Sequence, residues 1–220
     1  KQIRLMPYFT AAMMAVNLFF ISLNVFIANP FEMLPAAPPD GHGLNPLLQH
    51  WAMIIHPPIL YLGYVGFAVP FAFAIAALLS GELGNEWLRT VRRWTLVPWF
   101  FLGIGMLLGG KWAYMELGWG GYWAWDPVEN SALMPWLCGT AFLHSVMIQE
   151  KKNMLRVWNM VLIICTFLLC IFGTFITRSG VISSVHRCTQ SSIGPMFLIF
   201  IGLSAPFAFA LLGSKVHLLR

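Results

Sequence analysis

Long runs of apolar residues alternate with short polar stretches along the whole chain. Each run is close to the roughly 20 residues that an α-helix needs to cross the hydrocarbon core of a bilayer. The pattern predicts an all-α, polytopic integral membrane protein, without a linker or an internal repeat to divide it. We therefore expect one domain, residues 1–220, with six transmembrane helices at about 8–28, 58–79, 94–114, 127–149, 157–177 and 195–213.

The amino-acid composition supports the membrane assignment. Hydrophobic residues make up 59% of the chain and charged residues only 10%, whereas a soluble domain has roughly 25% charged residues. The first four residues lead directly into a span of full length, which is unlike a cleavable signal peptide. The chain does not begin with Met, and we expect it to be a portion of a longer protein. Four cysteines occur without a C-x-x-C pair, so neither a dithiol redox motif nor a haem-attachment motif is present.

The charges indicate topology rather than a nucleic-acid partner. The net charge is +5, but lysine and arginine lie in short connectors between the predicted spans, where they set orientation. The positive-inside rule predicts that the termini lie inside and that the Pro-rich loop 29–53, a Trp-rich stretch and the loop 178–194 lie outside. The inner side carries Lys1, Arg4, Arg89, Arg92, Arg93, Lys151, Lys152, Arg156, Lys215 and Arg220, and the outer side only Lys111, Arg178 and Arg187.

Half of the ten tryptophans lie in residues 112–136, WAYMELGWGGYWAWDPVENSALMPW, which we call the tryptophan segment. Aromatic residues collect at membrane interfaces without binding a ligand, but such a belt requires neither Gly120 and Gly121 nor Asp126. We therefore interpret the segment as a flat aromatic platform at the outer surface, which favours a flat ligand. Asp126 is also predicted to cap the following helix, with Pro127 at its first position and Glu129 at its third.

Two histidines on the predicted outer face are candidate metal ligands. His56 precedes Pro57 and Pro58, which fit the first turn of a helix, so we expect it at the membrane surface at the mouth of the second span. His186 lies in the loop before the sixth span. Two neutral imidazoles, one on each side of the ring, can ligate haem iron. Surface histidines are often only solvated, but this pair flanks the tryptophan segment on one face, which favours ligation.

Further ionisable residues occupy unusual positions. His144 lies within the fourth span, near its inner end, and an intramembrane ionisable residue is a functional candidate by default. The alternative is a structural hydrogen bond, for example to the backbone near Thr140. Arg178 and Arg187 lie outside against the positive-inside trend and could pair with the propionates of a haem. The alternative is that they snorkel to the interface.

Four stretches of this sequence resemble a known family. WGGYWAWDP (119–127) is similar to the tryptophan-rich "WWD" signature of the haem-handling membrane proteins of cytochrome c maturation. HPPILYLGYVGF (56–67), WDPVENSALMPWL (125–137) and GTFITRSGVISSVH (173–186) resemble the haem lyase branch of that family, CcmF, and its nitrite-reductase relative NrfE. The resemblance extends over nearly the whole chain.

The resemblance implies a set of haem-binding residues. His56 and His186 match the proposed axial ligands of the haem that is being attached. His144 matches one of two ligands of a resident haem, whose second histidine belongs to a later part of the family that this chain lacks. Both haems are expected to be haem b. The haem-docking residues would be Trp119, Gly120, Gly121, Tyr122, Trp123, Trp125 and Asp126, with Arg178 beside them.

The resemblance also implies a function and partners. The chain would be part of a haem lyase that positions haem for thioether attachment to the C-x-x-C-H motif of apocytochrome c. Expected partners are apocytochrome c, a haem chaperone, other maturation subunits, the remaining part of CcmF, membrane lipid and quinol as electron donor. The membrane would be the bacterial plasma membrane or the mitochondrial inner membrane.

Two other functions stay open at this stage. A CcmC-type protein would deliver haem to a chaperone without forming thioethers, but His144 and the GTFITRSG stretch disfavour it. A transporter or channel would use the histidines to line a proton or ion path, but it gives no reason for the tryptophan segment.

Overall fold

A computed structural model of the chain describes residues 2–33, 35–36, 38–41, 43–118, 120–182, 184 and 193–219. All regular elements in these ranges are helices. The α-helices are α1 (Met6–Phe26), α2 (Trp51–Gly66), α3 (Ala68–Ser80), α4 (Glu86–Glu116), α5 (Pro127–Lys152), α6 (Arg156–Ser179) and α7 (Gly194–Leu219), and short 3-10 helices cover Gln2–Arg4 and Pro46–Leu48.

Within the described residues, six helical segments are long and apolar enough to cross a membrane. Helices α2 and α3 follow one another closely and together form one of these segments, Trp51–Ser80. Each of α1, α4, α5, α6 and α7 forms one of the others. This confirms the predicted all-α, polytopic membrane architecture.

The second span begins earlier than the sequence predicts. Helix α2 starts at Trp51, and Pro57 and Pro58 lie inside it rather than in its first turn. The prediction that His56 lies at the mouth of this helix is therefore wrong. The helix can start earlier because His50 caps it, its Nδ1 accepting the amide of Ala52 at 3.2 Å. Sequence rules for helix starts favour Ser, Thr, Asp or Asn at this position and do not anticipate a histidine.

Helix α3 is the centre of the bundle. It packs against α1, α2, α4, α6 and α7, and most of its side chains are buried. Its alanines allow neighbouring backbones to approach closely, as small residues do in membrane helix packing. Larger residues fill the remaining space, and Phe71 stacks on Phe167 of α6 with ring centroids 4.1 Å apart. The fully buried alanines are Ala72, Ala74, Ala76 and Ala77.

Glycines bring α2 and α4 into direct contact. A methyl group on Gly63 would lie 2.5 Å from Cβ of Leu102 and 2.6 Å from its backbone nitrogen. Likewise, a methyl group on Gly105 would lie 2.7 Å from Cα of Leu60. Because the neighbours are backbone atoms, they cannot move aside independently. The contact therefore fixes α2, and with it His56, against α4.

Side-chain contacts define the two ends of the bundle. Arg92 pairs with Glu150 at 2.6 Å, which joins the first turns of α4 to the last turn of α5. At the opposite end, the indole of Trp112 donates to the carbonyl of Leu47 at 3.1 Å, which joins the end of α4 to the loop before α2. The start of α2, the tryptophan segment and the end of α6 thus lie at one end of the bundle.

We predict that Gly63→Ala destabilises the protein by about 1–3 kcal/mol, the usual cost of overpacking. Gly202→Ala in α7 is the control, because a methyl group there has no neighbour within 4 Å. It should be neutral or stabilising by up to ~1 kcal/mol, since glycine disfavours helix interiors. Thermal unfolding of both variants in detergent measures the difference. Equal midpoints for the two variants would contradict the described α2–α4 contact.

Candidate functional site

The tryptophan segment ends in a capping box that starts α5. The Asp126 carboxylate accepts the Val128 amide at 3.0 Å. The Glu129 carboxylate accepts the amides of Ala124 at 3.0 Å and Asp126 at 3.2 Å. Pro127 occupies the first helical position, where its missing N–H needs no partner. This confirms the helix start predicted from Asp126, Pro127 and Glu129.

The aromatic rings between α4 and α5 do not share a plane. Tyr122 stacks on Tyr114 of α4 with centroids 4.4 Å apart, whereas Trp123 and Trp125 meet at 85°. Trp125 adopts a positive φ of 59° and is 71% exposed, while Trp123 faces inward towards the helices. For the described rings, the prediction of one flat platform is therefore wrong. The left-handed backbone at Trp125 turns its ring away from that of Trp123.

The two glycines of the tryptophan segment differ in backbone conformation. Gly120 has a φ of 72°, in the left-handed region that glycine enters at little cost. Gly121 does not have a positive φ. The backbone conformation therefore explains the glycine at position 120 without a bound ligand. Trp119 lies outside the described residues.

His56 is held against α4 in a defined orientation. Its Nδ1 lies 2.7 Å from the carbonyl oxygen of Gly105, which can only accept, so Nδ1 carries the proton. Nε2 then carries the lone pair, as in most histidines that ligate a metal. A methyl group on Gly109 would lie 2.6 Å from the ring carbon Cε1. Gly105 and Gly109 together fix the tautomer and the orientation of the imidazole.

Two adjoining cavities lie between α4, α5 and the connector 117–126. The smaller cavity, of ≈ 40 Å³, has His56, Trp123 and Glu129 in its walls. The larger cavity, of ≈ 550 Å³, falls in the range of ligand pockets, roughly 300–1,000 Å³. Its walls are apolar and largely aromatic. The two cavities share Met106, Gly110 and Trp123, and the aromatic walls of the larger one are Trp99, Phe100, Tyr122, Trp123 and Trp136.

A stacked tryptophan pair connects the larger cavity to His144. Trp99 and Trp136 stack with centroids 5.4 Å apart, at an angle of 15°. The indole N–H of Trp99 donates to Oγ1 of Thr140 at 2.7 Å. The carbonyl of Thr140 accepts the Nδ1–H of His144 at 2.8 Å. His144 is therefore linked through Thr140 to the wall of the larger cavity, and His56 lines the smaller cavity beside it.

His144 lies on an exposed face of α5. Its hydrogen bond to the Thr140 carbonyl is the structural alternative that the sequence leaves open. It does not exclude ligation, because metal-bound histidines usually donate their other ring nitrogen to a carbonyl or a carboxylate. The arrangement leaves Nε2 as the nitrogen with a lone pair.

The segment that leads to His186 is tied to the tryptophan segment. Ser184 donates its hydroxyl proton to the Asp126 carboxylate at 2.7 Å. His186 and Arg187 themselves lie outside the described residues. The Asp126 carboxylate thus caps α5 and also links the connector that follows α6 to the tryptophan segment.

Arg178 lies in the last turn of α6 and is half-buried. In the part of the chain that the structure describes, no hydrogen bond or ion pair to its guanidinium is found. A cation in the last turn of a helix is stabilised by the helix dipole. A half-buried guanidinium without a carboxylate partner is also suited to binding an anionic group.

The described residues suit a haem better than a bare metal ion. Within them, no group of three or more His, Cys, Asp or Glu side chains could hold an ion. A haem iron needs only one or two axial ligands from the protein. His56 presents such a nitrogen in the smaller cavity, which shares Trp123 with the larger aromatic cavity, so the residues fit this group.

Comparison with known proteins decides the family. The profile of the family described as "Cytochrome C assembly protein" matches residues 2–182. The chain belongs to this family. The resemblance to its CcmF branch is also confirmed by individual relatives and by a solved structure.

Several curated relatives of the cytochrome c assembly family are about half identical to this chain. The cytochrome c-type biogenesis protein CcmF of Pseudomonas aeruginosa is 55% identical over 190 residues, 86% of this chain and 29% of the relative. CcmF of Escherichia coli is 48% identical over 212 residues, 96% of this chain and 33% of the relative. The biogenesis protein NrfE of Haemophilus influenzae is 46% identical over 193 residues, 87% of this chain and 30% of the relative.

A solved structure has the same fold. It is the protein named "Cytochrome c Heme Lyase CcmF", with a TM-score of 0.76 and 37% sequence identity. The match covers 94% of this chain and 31% of that chain. This chain therefore spans only about a third of the length of the proteins it matches.

Sequence reasoning misses several residues that shape the site. Trp99 is not among the predicted site residues, but it stacks on Trp136 in the wall of the larger cavity. Gly105 and Gly109 are not among the predicted site residues, although their spacing of four residues on α4 is a detectable signal for a close helix contact. Ser184 has no such signal, because its partner Asp126 is distant in the sequence.

We predict that Asp126 and Ser184 are energetically coupled by about 1 kcal/mol, a typical net value for one hydrogen bond. Unfolding free energies of Asp126→Ala, Ser184→Ala and the double variant measure this coupling. Ser204→Ala in α7 replaces Ser184→Ala in a control cycle, because the Ser204 hydroxyl bonds only within its own helix. If the losses of unfolding free energy from Asp126→Ala and Ser184→Ala add up to that of the double variant within ~0.3–0.5 kcal/mol, the contact is contradicted.

Proposed function

We propose that this chain is the haem-positioning part of a cytochrome c haem lyase. The observation that carries the proposal is the orientation of the His56 ring. Its Nδ1 donates to the Gly105 carbonyl, so its Nε2 has a lone pair. The ring lines the smaller cavity, which shares Trp123 with the aromatic cavity of ≈ 550 Å³. A solved relative is named as a haem lyase, which supports the same activity for the protein that contains this chain.

The substrate haem would bind beside the tryptophan segment. His56 supplies one axial ligand and His186 the other. Trp123 contributes an inward-facing apolar surface, and Trp125 an outward-facing one at right angles to it. Arg178 would pair with a propionate, as a guanidinium fork does with a carboxylate. The remaining docking residues of the proposal are Trp119, Gly120, Gly121, Tyr122 and Asp126.

The protein's part in the reaction would be orientation. In each attachment, a cysteine thiol of apocytochrome c adds across a vinyl group of the haem. The S–H bond breaks, a C–S bond forms at one vinyl carbon, and the proton goes to the other, so the addition itself needs no oxidant or reductant. Holding both reactants in register can lower the barrier by roughly 7–11 kcal/mol. His56, whose ring packs against Gly109, would fix the plane of the haem relative to the incoming peptide.

His144 would hold a resident haem b together with a histidine outside this chain. When bound, this group would supply electrons that keep the substrate iron ferrous, with quinol as the donor. The chain's own contribution is the orientation of His144, which the Thr140 carbonyl fixes through Nδ1. Trp99 supports this turn of α5 from α4 through its hydrogen bond to Thr140.

The complete protein would work with several partners in a membrane. These are apocytochrome c, a haem chaperone, other maturation subunits and the remaining two thirds of the protein. The end of the bundle with the tryptophan segment would face the periplasm or the intermembrane space, and the end with Arg92 and Glu150 the interior. The uneven distribution of lysine and arginine supports this orientation.

Replacing His56 or His144 should have separate effects in the full-length protein. His56→Ala is expected to stop cytochrome c maturation but to keep the Soret band of the resident haem. His144→Ala is expected to remove that band. Pyridine haemochrome analysis of the purified variants and of the cytochrome c that they produce measures both effects. Normal maturation with His56→Ala would contradict the lyase assignment.

Gly109→Ala should weaken binding of the substrate haem about 10–100-fold, the usual effect of disturbing the support of a metal ligand. The physical reason is that the added methyl group overlaps the His56 ring. Titration of full-length protein with haem gives the dissociation constant. Gly213→Ala is the matched control, because a methyl group there has no neighbour within 4 Å. Equal haem affinity of the two variants would show that Gly109 does not support the ligand.

A further inference from the structure

The end of the bundle opposite the tryptophan segment carries a dense group of cations. On α4, Arg89, Arg92 and Arg93 have the i, i+3, i+4 spacing that places side chains on one helix face. Lys151 and Lys152 lie in the last turn of α5, and Arg156 is the first residue of α6. We call these six residues the basic face.

Hydrogen bonds hold the three helices of the basic face together. Arg92 bonds to Glu150 at 2.6 Å, and Asn85 donates to Asn153 at 3.2 Å. Asn153 also accepts from Nε of Arg156 at 2.9 Å. These bonds join the ends of α4, α5 and α6 that carry the cations.

A buried amide pair reinforces this end of the bundle. Asn159 of α6 donates to Gln149 of α5 at 2.7 Å, and Gln149 donates to Asn85 before α4 at 3.2 Å. Both Asn159 and Gln149 are almost fully buried. Polar groups in a protein interior are normally hydrogen-bonded, because an unpaired one is costly. The helix ends that carry the cations are thus also joined by buried hydrogen bonds.

Orientation in the membrane does not explain this arrangement. The positive-inside rule depends on the number of cations near the ends of the spans. It needs no side-chain contacts that join three helices. Four of the six cations are also exposed, namely Arg89, Arg93, Lys151 and Lys152, and so are accessible to a ligand.

Apolar side chains adjoin the cations. Trp94 follows Arg93 directly and is 50% exposed, and Trp158 of α6 is 54% exposed. Met154, between α5 and α6, is also 54% exposed. Tryptophans at this position are typical of the headgroup level of a bilayer. The surface thus combines positive charge with exposed apolar side chains, as the binding of an amphiphilic anion requires.

We propose that the basic face binds the headgroup phosphate of an anionic phospholipid. Clusters of four to eight Lys and Arg next to transmembrane helices attract anionic lipids, and the six cations here fall in that range. The apolar edge formed by Trp94, Met154 and Trp158 would contact the acyl chains. The proposal concerns the end of the bundle opposite the haem site and does not rest on the haem function.

The test is a lipid titration of the full-length protein in detergent. The probes are phosphatidylglycerol, phosphatidylcholine and inorganic phosphate, and the readout is the tryptophan fluorescence. We expect phosphatidylglycerol to bind more tightly than phosphatidylcholine. Arg93→Gln/Lys152→Gln should weaken that binding about 30-fold, corresponding to ~1 kcal/mol per cation.

Arg4→Gln/Lys215→Gln is the charge-matched control, because it removes two cations outside the basic face. It should change the affinity for phosphatidylglycerol less than threefold. If the first double variant does not fold, Arg89→Gln and Lys151→Gln replace it, each with an expected loss of about fivefold.

Three results would overturn the proposal. Equal affinity for phosphatidylglycerol and phosphatidylcholine would show that the charge of the headgroup is not recognised, as expected if the rest of the protein covers this face. Equal losses in the test and control variants would assign the effect to net charge. Competition by inorganic phosphate at millimolar concentration would indicate a site for the free ion instead of a lipid.

Discussion

The close approach of α2 and α4 is the contact on which the site depends. It exists because Gly63 and Gly105 offer no side chain to the facing helix, so backbone meets backbone. The same contact places the His56 ring on Gly109 and its Nδ1 on the Gly105 carbonyl. A membrane interior supplies no hydrophobic force between helices, and packing of this kind is what holds them together. Stability and the orientation of the His56 ring therefore have the same physical origin in this protein.

The carboxylates at the start of α5 join the remaining parts of the site. Asp126 and Glu129 bind backbone amides that an isolated helix end would leave unsatisfied. Asp126 also accepts the Ser184 hydroxyl, and Glu129 lines the cavity that contains His56. A local capping motif thus becomes a junction between α2, α5 and the segment after α6.

Features with a local or periodic origin can be predicted from the sequence, and features that arise from tertiary contacts cannot. The six spans follow from apolar length alone, and the α5 start follows from the spacing of Asp126, Pro127 and Glu129. The predicted start of α2 is wrong because His50 is an unusual cap. The predicted flat platform is wrong because the positive φ of Trp125 cannot be deduced from residue type. The site at His56 depends on Gly105 and Gly109, which are close to it only in the folded chain.

The central claim is that His56 binds the iron of the substrate haem through Nε2. Near-infrared magnetic circular dichroism distinguishes bis-histidine from histidine–methionine ligation of a ferric haem. It can be measured on the full-length protein loaded with haem, with and without His56→Met. We expect the substitution to convert one haem from bis-histidine to histidine–methionine ligation and to leave the resident haem unchanged. An unchanged spectrum of both haems would contradict the ligation of the substrate haem by His56.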